Sequence, residues 1–238
     1  MGKDFLSDKY DAEDSDDVYE EVEDYDFYDE LKDGLCPAIK RWYSDDELRI
    51  VIVEGTQGYG KSTYACQIAA EVYGTWQWNI LKNYLAYDPM EFLSRIEDKR
   101  KKSPLLIWDD AGNWLNANDY RKKWVKEASK YFQVARDEWG CMILTTVDAE
   151  DIANRIRNMN NRILVQITKR GKNVRQPYRR TARIFTKWKT PDKTRSGETN
   201  VIEERFKARM DDTFYGHYRV YRHGFNIKAK KRMREEAR

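Results

Sequence analysis

Cysteine is scarce in this sequence: Cys36, Cys66 and Cys141 are the only three in 238 residues, and their spacings match no zinc pattern. Two of them fall inside apolar runs, so a disulfide framework is excluded and a reducing interior is expected. Long apolar runs are equally scarce. The longest, such as 49–53, begin with a charged residue and fall far short of the roughly 20 residues a membrane helix needs. The first residues, Met1, Gly2, Lys3 and Asp4, lack an export-signal pattern, so no membrane span and a cytoplasmic location are expected.

Charge is what the sequence has in plenty. Asp, Glu, Lys and Arg make up 36% of it against 40% hydrophobic residues, a composition that suits one folded domain with extensions and a modest core. The net charge of +3 conceals a strong polarity. Residues 1–35 hold 15 Asp and Glu against 3 Lys and Arg, a net of −12, whereas residues 168–238 hold 22 Lys and Arg against 8 Asp and Glu, a net of +14. We therefore expect an acidic disordered tail over 1–35, a core over 36–168 and a basic extension over 169–238.

The core alternates strands and helices. A buried strand is expected at 50–53, a helix from 61 to about 73 that stops at Gly74, a second strand near 78–81, and a helix from Asp88 and Pro89 to about Arg100. A short apolar run at 104–108, a long helix over 118–138, a strand at 141–147, a helix over 149–158 and a strand at 162–168 follow. Such alternation predicts an α/β fold, a mostly parallel sheet with helices on both faces. Beyond it, 180–188 reads as an edge strand, 189–200 as a polar loop, 201–210 as a short helix and 228–238 as a basic helix or frayed tail.

The strongest motif lies between the first strand and the first core helix: Gly55, Thr56, Gln57, Gly58, Tyr59, Gly60, Lys61, Ser62, followed by Thr63. Three glycines let successive backbone N–H groups curl around phosphate oxygens, and the helix that follows presents its positive end to them. This is a P-loop (Walker A) pattern, in which Lys61 reaches the β- and γ-phosphates of ATP, with GTP as the lesser alternative, and Ser62 ligates Mg2+. The run 105–108 ends in Asp109, which supplies the second magnesium ligand, and in Asp110, which stands where a carboxylate activates the attacking water. Two acids at a strand end could equally cap a helix. The strand 142–146 ends in Thr145 and Thr146, where a polar sensor of the γ-phosphate is expected, although threonine is also simply a good strand residue.

The stretch 136–147, followed by Ile152, Ala153, Asn154, Arg155, Ile156, Arg157 and the run 163–166, resembles the second half of the motor domain in the FtsK/HerA and zonula-occludens-toxin-like ATPases. The family pattern of an Arg, a Gly and an apolar run, a polar sensor and an Ile-Arg pair matches Arg136, Gly140, Thr145 or Thr146, and Ile156 with Arg157. The sequence departs from it in carrying Thr where the sensor is often Gln, and Asp110 where the catalytic residue is commonly Glu. The resemblance covers roughly 49–168 and implies an additional-strand P-loop ATPase of RecA/FtsK-like fold. It also implies a homo-oligomer, with a ring as one form, in which Arg155 or Arg157 completes the neighbour's site; a surface salt bridge is the plainer role for either. The high charge and small size look like ATPases of archaeal viruses and plasmids, which would place the protein in the host cytoplasm.

The basic extension interleaves its charge with Tyr178, Trp188, Phe206, Phe214, Tyr215, Tyr218, Tyr221 and Phe225, offering phosphate-neutralising groups and stacking surfaces. Nucleic acid, DNA ahead of RNA, is the expected partner, while the aromatics by themselves read as core and an anionic membrane is the other polyanion. The expected function is ATP hydrolysis coupled to DNA translocation or packaging. Rival readings are an AAA+-type replication initiator or loader that uses ATP as an assembly switch, a small-molecule kinase built on the same loop, and a binding protein that hydrolyses nothing.

Overall fold

The computed structural model describes residues 30–97, 101–169, 178–189 and 196–236. At its centre is β1 (Arg49–Glu54), whose Ile50, Val51, Ile52 and Val53 are all fully buried. Four consecutive buried β-branched residues require cover on both faces, which is the condition of a central parallel strand. The strands β2 (Leu85–Ala86), β3 (Ser103–Trp108), β4 (Trp139–Thr145), β5 (Arg162–Thr168), β6 (Arg179–Lys189) and β7 (Ser196–Lys207) complete a seven-stranded sheet in the order β2-β3-β4-β1-β5-β6-β7. The first five in that order run parallel, and β6 pairs antiparallel with β5 on one side and with β7 on the other.

Alternation along each strand sorts the core into two layers. Val51, Val53, Leu105, Ile107, Ile143 and Val165 face α1 (Leu35–Ser44), α2 (Lys61–Tyr73) and part of α7 (Asp212–Glu236). Ile50, Ile52, Leu106, Trp108, Met142 and Leu144 face α4 (Pro89–Glu97), α5 (Lys123–Val134) and α6 (Asn154–Arg157). On that second side Phe92 of α4 stacks on Trp108 with ring centroids 4.3 Å apart, and Phe132 of α5 meets Phe92 edge-on. All three cysteines are buried on the first side, Cys36 on α1, Cys66 on α2 and Cys141 on β4, and none is paired.

Several expected elements are placed differently. The segment 78–81 is a single helical turn, α3 (Trp78–Leu81), and the neighbouring strand is β2, two residues long. The helix expected over 118–138 is shorter as α5 and ends in a tight turn at Ala135–Asp137, and the one expected over 149–158 is broken into a turn at Ala149–Asp151 and α6. The segment 201–210 is not a helix. Its residues 201–207 belong to β7, the sheet edge, which also takes in 196–200 of the expected loop, so that β6 is an inner strand. Val201, Ile202, Glu204 and Phe206 are partly covered while Glu203, Arg205 and Lys207 are exposed, and partners on the covered side override the helix-forming tendency of the charged residues.

Residues 30–35, expected in the acidic tail, belong to the folded body, since Leu31 and Leu35 are fully buried. Residues 1–29, the rest of that expectation, lie outside the described residues. The basic segment after 168 continues the same sheet through β6 and β7, then returns as α7 across the first face, where Phe214 and Tyr218 enter the core. Among the described residues no helix is long and apolar enough to cross a membrane.

Candidate nucleotide-binding site

The loop between β1 and α2 is shaped by its glycines. Gly55, Gly58 and Gly60 all have positive φ, and side chains are excluded at two of them by close neighbours. A Cβ on Gly55 would lie 2.7 Å from the carbonyl oxygen of Ile167, and one on Gly60 would lie 2.8 Å from the Cβ of Ala208. Thr56, Gln57 and Gly58 at the tip are exposed, Tyr59 and Gly60 half-buried. Lys61, 7% exposed, opens α2 and folds its ammonium back to donate to the carbonyl of Gly55 at 2.8 Å and that of Thr56 at 3.4 Å. Burial holds this ammonium below the ordinary lysine value, against the opposing pull of Asp110 and Asp109.

Asp109 follows the last residue of β3 and is fully buried. Its Oδ1 accepts from the Ser62 hydroxyl at 2.7 Å and from the Thr145 hydroxyl at 2.6 Å, and its Oδ2 accepts from the Tyr218 hydroxyl at 2.8 Å. Asp110 takes the left-handed conformation, with φ 54°, which short polar side chains tolerate best among non-glycine residues. That turn lets its N–H donate to the Thr145 hydroxyl at 2.8 Å while its carboxylate accepts from Arg222 at 2.7 Å. Burial first, and the Asp109 charge second, raise the Asp110 carboxyl above the ordinary aspartate value, with Arg222 pulling the other way.

Lys61, Ser62, Asp109, Asp110 and Thr145 are thus brought together at the carboxyl ends of β1, β3 and β4. Thr146 is not part of this cluster: its hydroxyl donates to the carbonyl of Asp148 at 3.0 Å and packs against Gly112. Arg155 and Arg157 on α6 also stand apart. Arg155 meets Gln133 at 3.4 Å, and Arg157 meets Asn154 and lies 3.9 Å from Glu150, none of which belongs to the phosphate loop.

Two members of the site were not anticipated from sequence, Tyr218 and Arg222 of α7. Both lie one helical turn apart on a face that also carries Phe214, Tyr221 and Phe225, a spacing of four, three and four residues. That periodicity is the signal available in the sequence, and Gly216 and Gly224 obscure it. A third, Glu204 on β7, accepts from the Leu35 N–H and the Tyr64 hydroxyl, both at 2.6 Å, fastening the sheet edge to α1 and α2.

The topology decides what kind of loop this is. The phosphate loop follows β1 and the acid pair follows β3, yet β4 is hydrogen-bonded between them, with β5 on the far side of β1. This is the strand order of the additional-strand P-loop fold. Within it the glycine loop and the acid that follows β3 meet through the Ser62–Asp109 hydrogen bond.

No protein-family model matches the sequence. The chain is 30% identical over 135 residues to the uncharacterized protein B-251 of Sulfolobus spindle-shape virus 1, covering 53% of this chain and 52% of that protein. It is 27% identical over 191 residues to the uncharacterized protein ORF286 of Acidianus two-tailed virus, covering 70% and 66%. The chain therefore spans between half and two thirds of the length of these archaeal viral relatives. Among solved structures it is similar to the N-terminal domain of zonular occludens toxin from Neisseria meningitidis, at 14% identity and TM-score 0.43 over 71% of this chain and 97% of that one. It is also similar to the genome packaging NTPase B204 of Sulfolobus turreted icosahedral virus 2, solved with ATP-gammaS, at 15% identity and TM-score 0.31 over 65% and 98%. The last two are distant likenesses, and the site reading rests on the geometry of this chain.

Proposed function

We propose that this protein binds and hydrolyses ATP and couples hydrolysis to work on nucleic acid, with DNA translocation or packaging by a homo-oligomer as the specific form. The observation that carries the reading is the convergence of Lys61 and Ser62, at the start of α2, on the buried Asp109 at the end of β3.

The donor set suits Mg2+. Ser62 Oγ and the Asp109 carboxylate are adjacent hard oxygens, and magnesium is held by one or two such protein groups together with phosphate oxygens and water. Bound there, the ion neutralises charge that develops on the phosphate oxygens. In this reading the loop amides and Lys61 hold the triphosphate and Asp110 accepts a proton from the attacking water, while Thr145 holds both acids through one hydroxyl. Arg155, exposed on α6, and Arg157 beside it are assigned to a neighbouring subunit's phosphates, as in P-loop enzymes that receive an arginine in trans. Arg219, Lys230 and Arg234, exposed on α7, belong to the basic surface assigned to nucleic acid. Similarity to proteins of two archaeal viruses supports a virus-encoded ATPase acting in the host cytoplasm.

The test is steady-state ATP hydrolysis with and without duplex DNA. Duplex should stimulate turnover, Lys61→Ala should abolish it, and Asp110→Asn should retain ATP binding while kcat falls by about 100-fold or more. Unchanged turnover in Lys61→Ala would sink the assignment of the loop. One observation favours a second reading, ATP as an assembly switch: Tyr218 and Arg222 contact the acid pair directly, so occupancy of the site is coupled to the seat of α7. ATP binding without turnover under any condition would select it.

A further inference from the structure

A cavity of about 500 Å³ has Thr63, the residue after Ser62, in its lining together with Ala208, Met210, Tyr178 and Tyr215. We propose that this cavity is the nucleoside subsite, in which Tyr178 and Tyr215 stack on the base of the bound nucleotide. The proposal rests on the nucleotide-binding reading and adds to it the residues that hold the half of the ligand beyond the phosphates.

The direction of the ligand follows from the helix. Ser62 points at Asp109, so the terminal phosphate lies toward the acids. Successive helical residues are rotated by about 100°, and Thr63, the next residue, lines the cavity instead. A triphosphate held by the loop with its γ end at Asp109 and Asp110 therefore leaves the loop on the Thr63 side, the side that lines the cavity.

The wall is tied to the loop. Ala208 approaches so closely that a side chain on Gly60 would strike it. Gln67 of α2 donates to the carbonyl oxygens of Lys207 and Arg209 at 2.7 and 2.8 Å, and Ala208 N–H donates to the carbonyl of Tyr178 at 2.7 Å. The segment 207–209 is thereby fixed relative to the Walker helix. Arg209, which would otherwise place a bare cation there, forms two hydrogen bonds with Asp212 at 2.9 and 3.0 Å.

Tyr178 is 58% exposed and Tyr215 49% exposed, although the cavity they line is concave. Large rings left open in a concave wall beside a phosphate site match the demand of a nucleobase, which gains affinity by lying on an aromatic face and does so whichever base it is.

The experiment measures dissociation constants of the full chain for ATPγS and for inorganic tripolyphosphate, in the wild type and in Tyr178→Ala, Tyr215→Ala and Tyr215→Phe. The expected result is that each alanine variant weakens ATPγS binding by roughly 5- to 100-fold, leaves tripolyphosphate affinity unchanged, and that Tyr215→Phe binds ATPγS as the wild type does. Unchanged ATPγS affinity in both alanine variants overturns the subsite, as does a parallel loss of tripolyphosphate, which would mark the rings as supports of the loop. A wild type that binds neither ligand would instead overturn the nucleotide reading itself.

Discussion

Thr145 holds two acids with a single hydroxyl, accepting from the Asp110 N–H and donating to Asp109 Oδ1, in a position with no exposure to solvent. Thr145→Val keeps the shape and removes both bonds, leaving the half-buried Asp110 N–H without this acceptor and the buried Asp109 Oδ1 with one donor fewer. The expected cost is about 1–3 kcal/mol, read as a lower urea midpoint at unchanged slope; an unaltered midpoint would show that the hydroxyl is not shared in this way. Lys61, Ser62, Asp109 and Asp110, which the structure brings together, were legible as candidates because short local patterns mark them, glycines before a lysine and acids after an apolar strand. The role of Thr145 was only half legible. Its place at a strand end pointed to the site, but its use as a clamp on the acids depends on how β3 and β4 are registered. Tyr218 and Arg222 touch Asp109 and Asp110 from 109 and 112 residues away, and no local pattern encodes such a contact.

The element on which most turns is α7. Its Phe214 is 1% exposed and meets Trp76 and Trp78 edge-on at 5.3 and 5.5 Å, which seats the helix two turns before Arg222 reaches Asp110. Phe214→Ala empties that seat and is expected to cost about 3–5 kcal/mol in denaturant unfolding; a change below 1 kcal/mol would mean that α7 is held elsewhere. At this scale the sequence was legible where periodicity and composition agree, as in β1 and α2. It was misleading where they disagree. Residues 201–207 contain helix-forming charged residues yet alternate in burial, and pairing along β6 decides in favour of a strand. Residues 78–81 carry two apolar side chains and a tryptophan suited to a strand, but they form the turn that receives α7, with Trp78 against Phe214, His217 and Tyr221.

For the whole molecule, alternating strands and helices were enough to foretell a mostly parallel sheet covered on both faces. The strand order, which brings β4 between β1 and β3, does not follow from alternation; it was implied by the resemblance to additional-strand P-loop ATPases, and the structure has it. The charge polarity was fully legible, being a count, but the boundary of the folded body was not, because Leu31 and Leu35 sit among acidic residues and still reach the core. Residues 1–29 carry 13 Asp and Glu against 2 Lys and Arg. Deleting them, while keeping residues 30–35 that the core needs, is expected to tighten DNA binding several-fold at low salt, with the difference shrinking as salt screens the competing charge. Equal affinities of the two chains across a salt series would show that the acidic segment does not compete.

The burial of all three cysteines has a consequence for how the molecule behaves toward thiol reagents and alkali. Burial, with Glu71 adding to it, pushes the Cys36 thiol up to about 12, and burial raises Cys66 and Cys141 as well. The folded chain keeps these protons where an unfolded chain gives them up, so stability is intact below about pH 8 and declines as pH rises past the value of a free thiol. Denaturant midpoints measured from pH 7 to 10 should fall accordingly, and a flat profile would contradict the burial. At neutral pH the same burial leaves no native thiolate within reach of a maleimide. A single cysteine placed on the exposed face of α7, as in Arg219→Cys, would then be the one labelled position, and a dye there would follow the helix without any native cysteine having to be removed.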